Sequence, residues 1–140
     1  CVSRRVGQAF IENAIVGESL TVNGDGTEGL DFTYIDDLLQ GIILSIIKSD
    51  SINQIFNITF GAARSINQLA EIVMEEFPGI KLHHKARDGL MPERGTLSIA
   101  KAQKLLGYIP QYPVEKGFAQ YINWYKNFVK KNPQFFIRNN

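Results

Sequence analysis

"VNGDGTEGLDFTYIDD", residues 22–37, carries three glycines, four aspartates and a glutamate before an apolar run begins. Acid-rich, glycine-rich loops suggest calcium. An EF-hand loop needs oxygen ligands at positions one, three and five, a glycine at six and a glutamate at twelve. Starting at Asn23 puts Glu28 at six and Tyr34 at twelve, and starting at Asp25 puts Leu30 and Asp36 there. Neither register fits, so no metal site is expected. The glycines read instead as a tight loop between a strand "LTV" (20–22) and a strand "DFTY" (31–34), which alternates polar and aromatic residues. Asp36 or Asp37 then stands where a carboxylate caps a helix covering the apolar run from Leu38 to Ile47.

Outward from that stretch the pattern stays mixed. Val6, Phe10, Ile11, Ala14 and Ile15 recur at helical spacing within residues 4–16, and Gly17 stops them. "QIFNIT" (54–59) reads as a strand. Ser65 and Gln68 fit the S-x-x-Q capping box and open a helix to about Phe77, which Pro78 and Gly79 end. "IKLHHK" (80–85) reads as another strand, followed by an irregular polar loop over 85–95. Ser98 is placed to cap a short helix that stops at Gly107, and Pro113 to open a longer one through about Lys130. The order is that of one α/β (mixed α+β) domain, 1–140, without repeats or an internal boundary.

With 15 basic and 14 acidic residues the formal charge is +1, so no overall field attracts nucleic acid or an anionic membrane. The longest apolar run, "LLQGIILSII", is too short and too interrupted to span a bilayer. A single cysteine, Cys1, allows no internal disulfide, and with no signal peptide the reading is cytoplasmic. The chain opens at Cys1 without a methionine and is expected to be the later part of something longer.

His83 and His84 are adjacent, so in a strand they face opposite ways and do not share a metal. There is no G-x-S-x-G nucleophile motif. Phe118, Tyr121, Trp124, Tyr125 and Phe128 form a stripe at helical spacing that is read as core, and Lys126, Lys130, Lys131 and Arg138 as a solvated basic end. Arg94, beside Gly95 in a polar loop, can bind an anion through two parallel hydrogen bonds.

Three stretches in order then resemble one family. "GESLTVNGDGTEGLDFTYIDDLLQGI", "NITFGAARSINQLAEIV" and "ERGTLSIAKAQKLLGYIPQYPVEKGFAQYINWYK" are similar to motifs of NAD-dependent sugar-nucleotide epimerases and dehydratases, the extended short-chain dehydrogenase/reductase family, UDP-glucose 4-epimerase among them. The resemblance covers about Arg5 to Tyr125. It implies an isomerase or lyase of which this chain is the smaller, C-terminal, substrate-binding lobe. NAD would be bound by a preceding Rossmann half that also carries the glycine-rich fingerprint and the catalytic Tyr-x-x-x-Lys, and the chain is expected to lack both and to be inactive alone.

The resemblance further implies a nucleoside-diphosphate sugar as partner, with Thr21 and Asn23 beside the base and Arg94, with Arg5 as a second candidate, at the diphosphate. The motif arginine before Asp31 is Leu30 here, and the aspartate of D-I-S-K-A is Ser98, which leaves three options: a different head group, weaker binding, or another cation such as Arg5, Arg64 or Arg87. A homodimer of the intact protein is one option. The alternative is a non-catalytic nucleotide-sugar-binding or structural module. The surface facing the missing half is expected to expose apolar residues, from the first helix.

Overall fold

The computed structural model describes residues 5–87, 89 and 94–135; Cys1, Arg138 and part of the 85–95 loop lie outside them. Helix α1 (Val6–Ile15) leads into strand β1 (Leu20–Asn23), a glycine-rich loop, the two-residue strand β2 (Gly29–Leu30) and helix α2 (Ile35–Ile47). After a 3-10 turn at Ser49–Ser51 come β3 (Arg64–Ser65), α3 (Ile66–Glu76) and β4 (Leu82–Lys85). Helices α4 (Ala100–Leu106) and α5 (Val114–Lys131) complete the order, and a second 3-10 turn follows at Pro133–Phe135.

The strands form two small sheets. β1 and β4 run parallel with Leu20 opposite Leu82, and β2 and β3 antiparallel with Leu30 opposite Arg64. The main core lies where α1, α3 and α5 meet β1. Phe10, Ile11, Leu20, Val22, Leu69, Val73, Phe118 and Ile122 are buried together there. α3 enters this core under the expected capping box: the Ser65 hydroxyl accepts from Gln68 N–H, and the Gln68 side chain accepts from Ser65 N–H. A smaller cluster of Ala102, Leu106 and Tyr108 joins α4 to Leu44 of α2 and to Phe56 and Ile58.

Several expectations need correction. "DFTY" is not a strand: the bridging is done by Gly29 and Leu30, and residues 31–34 lead directly into α2. α2 begins at Ile35, so Asp36 and Asp37 sit inside its first turn, and its N-cap, Tyr34, makes no side-chain cap bond. "QIFNIT" pairs with no strand among the described residues, and Ile55 is 87% exposed. Ser98 lies one residue before the α4 N-cap, Ile99, and Pro113 is the N-cap of α5 rather than its first residue. Gly107 does end α4, in the left-handed conformation with φ +71°.

The exposed apolar surface is also not on α1, which buries Phe10, Ile11 and Ala14. It is on α2, where Ile35, Leu39, Ile42, Ile43, Ile46 and Ile47 face outward. The aromatic stripe of α5 divides: Phe118 and Tyr125 are core, whereas Trp124 is 55% exposed and stacks between Tyr121 and Phe128. Lys126, in the basic end, pairs with Glu76 at 2.8 Å.

Candidate functional site

A cleft of about 1400 Å³ opens between the N-terminal end of α1, β1, residues 28–35 and α5. Thr21, Asn23, Arg5 and Arg94 all line it. Thr21 is half-buried, whereas Asn23, Arg5 and Arg94 are exposed. Its apolar wall is close-packed because two glycines allow it. A Cβ on Gly7 of α1 would stand 3.0 Å from the Phe118 ring, and one on Gly117 of α5 would stand 2.8 Å from Tyr34. Tyr34 in turn stacks on Tyr112, with ring centroids 4.7 Å apart. Burial raises the Tyr34 hydroxyl above its usual pKa, with Asp36 adding to the effect, so Tyr34 stays neutral as part of this wall.

The aspartates of the opening stretch hold the cleft's walls. Asp25 closes its own loop: its carboxylate accepts from Thr27 N–H at 3.0 Å and from the Thr27 hydroxyl at 2.7 Å, which keep it below the usual carboxylate range. Asp31 uses both oxygens on distant loops, accepting from Gly61 N–H at 3.2 Å and from Leu97 N–H at 3.3 Å. The neighbouring Thr96 hydroxyl accepts from Ala63 N–H at 2.9 Å, and Asn57 donates to the Ser98 carbonyl at 3.0 Å. The segment that follows Arg94 is thereby tied at three successive residues. Asp37, only 1% exposed, accepts from Gln111 N–H at 2.7 Å and Tyr112 N–H at 2.9 Å, which sets Tyr112 against Tyr34.

These roles of Asp31 and Asp37 escape a reading of the sequence as helix caps and loop acids. No local signal marks them, because their partners come from separate loops. The Thr59 hydroxyl, beside the same cleft, is buried without a partner among the described residues, while the Thr59 carbonyl accepts from the Tyr108 hydroxyl at 3.0 Å.

One spacing corrects the expectation that the chain carries no Tyr-x-x-x-Lys, and a second comes near a dinucleotide pattern although no G-x-x-G-x-x-G occurs. Tyr112 and Lys116 stand four residues apart, as in Tyr-x-x-x-Lys. They do not share a helix, because Tyr112 precedes the Pro113 cap of α5, and the Lys116 ammonium lies 4.1 Å from the centre of the Tyr112 ring. That is a cation–π contact. Gly24, Gly26 and Gly29 spell G-x-G-x-x-G, but this run leads into β2 rather than opening a helix whose N-terminus could meet a pyrophosphate. A Cβ on Gly26, at φ +74°, would collide with the Asn67 side chain, so this glycine serves packing. These residues do not fit NAD.

His84 meets the Asn67 side chain at 3.1 Å, and among the described residues no group of three or more His, Cys, Asp and Glu is placed to hold a metal ion. No helix among the described residues is long and apolar enough to cross a membrane.

A mixed α/β lobe with a polar-rimmed, aromatic-walled cleft built on a glycine–aspartate loop is the class this architecture defines. Residues 2–59 match the model of the NAD dependent epimerase/dehydratase family. The chain is 34% identical over 128 residues to a UDP-glucuronate 4-epimerase of Thermodesulfobacterium geofontis, covering 86% of this chain and 38% of that protein. It is 30% identical over 125 residues to UDP-glucuronic acid decarboxylase 1 of Xenopus tropicalis, covering 87% and 29%. Among solved structures, an epimerase of Methanothermobacter thermautotrophicus superposes with a TM-score of 0.83 at 26% identity, over 92% of this chain and 40% of that one. A UDP-glucose 4-epimerase of Thermotoga maritima, solved with UDP-glucose, gives 0.82 at 25% identity, over 91% and 41%. The chain belongs to the NAD-dependent epimerase/dehydratase family, and it spans less than half the length of these relatives.

Proposed function

We propose that this chain is the C-terminal, nucleotide-sugar-binding lobe of an NAD-dependent epimerase or dehydratase acting on a nucleoside-diphosphate sugar. The observation that carries the reading is the convergence of Thr21, Asn23, Arg5 and Arg94 on one cleft. Thr21 and Asn23 offer a hydroxyl and an amide to a nucleoside base from alternate positions of β1, on one face of the strand. Arg94 and Arg5 supply guanidinium forks suited to a diphosphate, each good for charge-assisted hydrogen bonds. The Tyr34–Tyr112 wall excludes water from one side of the bound nucleotide. Relatives solved or named with UDP-sugars support a nucleotide sugar as the ligand class.

In this reading NAD belongs to a preceding Rossmann half of the same protein, in keeping with the misfit of the Gly24–Gly29 loop. The chain's own residues bind and orient the nucleotide and take no part in proton or hydride transfer. The outward face of α2 supports such a half as partner. Ile46 is 77% exposed, and the strand-patterned segment 54–59 has no strand beside it among the described residues, so a sheet supplied from outside would cover both.

Calorimetric titration of the intact protein with UDP, GDP and dTDP tests the proposal. One nucleotide should bind saturably, and Arg94→Ala should weaken it about tenfold or more. Binding of none would overturn the nucleotide-sugar reading. Leu30, apolar at the cleft, is the observation that favours the non-catalytic module instead. The absence of a Tyr-x-x-x-Lys and a dinucleotide fingerprint from the rest of the gene product would decide for the module.

A further inference from the structure

The cleft is short of positive charge for a diphosphate. Its described lining includes two cations, Arg5 and Arg94, against the carboxylates of Glu28 and Asp31. Leu30, in the same lining, contributes no charge. Its register partner across the β2–β3 ladder is Arg64. Directly opposed residues of an antiparallel pair project from the same face, with Cβ atoms about 5 Å apart. Arg64 therefore stands beside the position that Leu30 leaves uncharged, with a side chain long enough to reach past it.

In this structure the guanidinium is held back. Arg64 Nε donates to Glu115 Oε1 at 2.6 Å, and a terminal nitrogen donates to the Ala63 carbonyl at 3.1 Å. That hydrogen bond holds the Glu115 carboxyl below its usual range, so the pair is charged at neutral pH. Glu115 lies in the first turn of α5, between the cleft-lining residues Val114 and Gly117. The side chains are 28% and 52% exposed, and a pair this open to water holds its partners weakly.

The geometry points to Arg64 as a latched anion ligand. When a nucleoside diphosphate enters the cleft, its diphosphate draws the guanidinium away from Glu115 and binds it beside Leu30, and Glu115 sets the affinity by competing for the same donor. The inference rests on the nucleotide reading above and adds a residue, a competitor and a preference for diphosphate over monophosphate.

The test is calorimetric titration of the intact protein with UDP and UMP, using Arg64→Ala, Arg64→Lys, Glu115→Gln and the double variant Arg64→Ala/Glu115→Gln. Loss of a charge-assisted contact should weaken UDP binding about tenfold in Arg64→Ala and much less in Arg64→Lys, and change UMP binding little. Glu115→Gln removes the competitor without changing shape, so it should bind UDP about threefold tighter or more. The double variant should behave as Arg64→Ala. A structural role for the pair would weaken binding in both single variants, and Glu115→Gln that fails to tighten UDP overturns the latch. If the wild type binds UDP and Arg94→Ala weakens it while the Arg64 variants do not, the latch falls and the nucleotide reading stands. If no nucleotide diphosphate binds the wild type, both fall.

Discussion

α3 and α2 are neighbours in length, with 11 and 13 residues, and opposite in fate. α3 places Ile66, Leu69, Ala70 and Val73 on one stripe and buries all four. α2 is apolar around most of its circumference and buries only Asp37 and Gly41. A stripe needs one partner, whereas a helix apolar on all sides needs enclosure. α3 finds its partner in α1 and α5. α2 has one face against Ile58 and the small cluster of α4, with its other faces uncovered. A Cβ on Gly41 would approach Ile58 to 2.3 Å, which marks the packed side. The contrast separates what these residues complete by themselves from what they leave for another layer.

The largest expected effect lies in α3. Leu69→Ala, at a fully buried site, should destabilise the chain by about 2 to 5 kcal/mol, read as a lower urea midpoint at unchanged slope. A loss below about 1 kcal/mol would mean that the α1–α3–α5 core is not the stable centre.

Asp37→Ala comes next and probes the buried side-chain tie between α2 and the loop before α5, beside an exposed one from Gln40 to Ile109 N–H. It leaves two backbone N–H groups, those of Gln111 and Tyr112, without their acceptor, at a cost of about 2 to 3 kcal/mol. It should also loosen the Tyr34–Tyr112 wall and weaken nucleotide binding. Unchanged stability would show that water replaces the carboxylate.

Alkaline pH probes a buried tyrosine in each of the two regions. Tyr108, in the cluster beneath α2, has its hydroxyl pushed up from 10.0 to about 12, chiefly by burial. The folded state then holds this proton where the unfolded state has lost it, so the stabilisation is complete below pH 10 and is lost as pH rises toward 12. Tyr108→Phe should be less sensitive over that window than the parent chain in pH-dependent urea unfolding, after allowance for Tyr125, which burial also pushes up to about 12. Identical pH profiles would remove Tyr108 from the account. Ser65→Ala, which removes the α3 cap, should cost about 1 kcal/mol.

How far the sequence discloses all this follows the range of each interaction. The capping box at Ser65 and Gln68 and the stop at Gly107 are local, and both are legible. So are α1 and the strands around Leu20 and Leu82. Thr21, Asn23 and Arg94 could be named from the motifs and Arg5 from its place at the start of the first helix, and all four line the cleft. Asp31 could not be assigned, because its carboxylate reaches Gly61 and Leu97, residues 30 and 66 positions away. "QIFNIT" has the pattern of a strand, but a strand needs a neighbour, and none of the described strands lies beside it. Tyr112 and Lys116 show the reverse failure: the spacing matches a catalytic motif, while the proline between them sets the tyrosine outside the helix.

The smallest expected effect is the most informative about α2. Ile43 sits mid-helix and 55% exposed, so in this 140-residue chain Ile43→Ala removes little buried surface and should cost no more than about 0.5 kcal/mol. In the intact protein the same change should cost about 2 kcal/mol or more if a preceding sheet covers α2, because the side chain is then a core residue. The difference between the two measurements, both by urea unfolding, isolates the covering layer from any intrinsic preference of the helix, since propensity contributes equally to each. Equal small costs in both forms would leave α2 exposed in the intact protein and remove the main support for a docked Rossmann half. A large cost already in this chain alone, falling on dilution, would instead show that copies of the chain cover one another's α2 face.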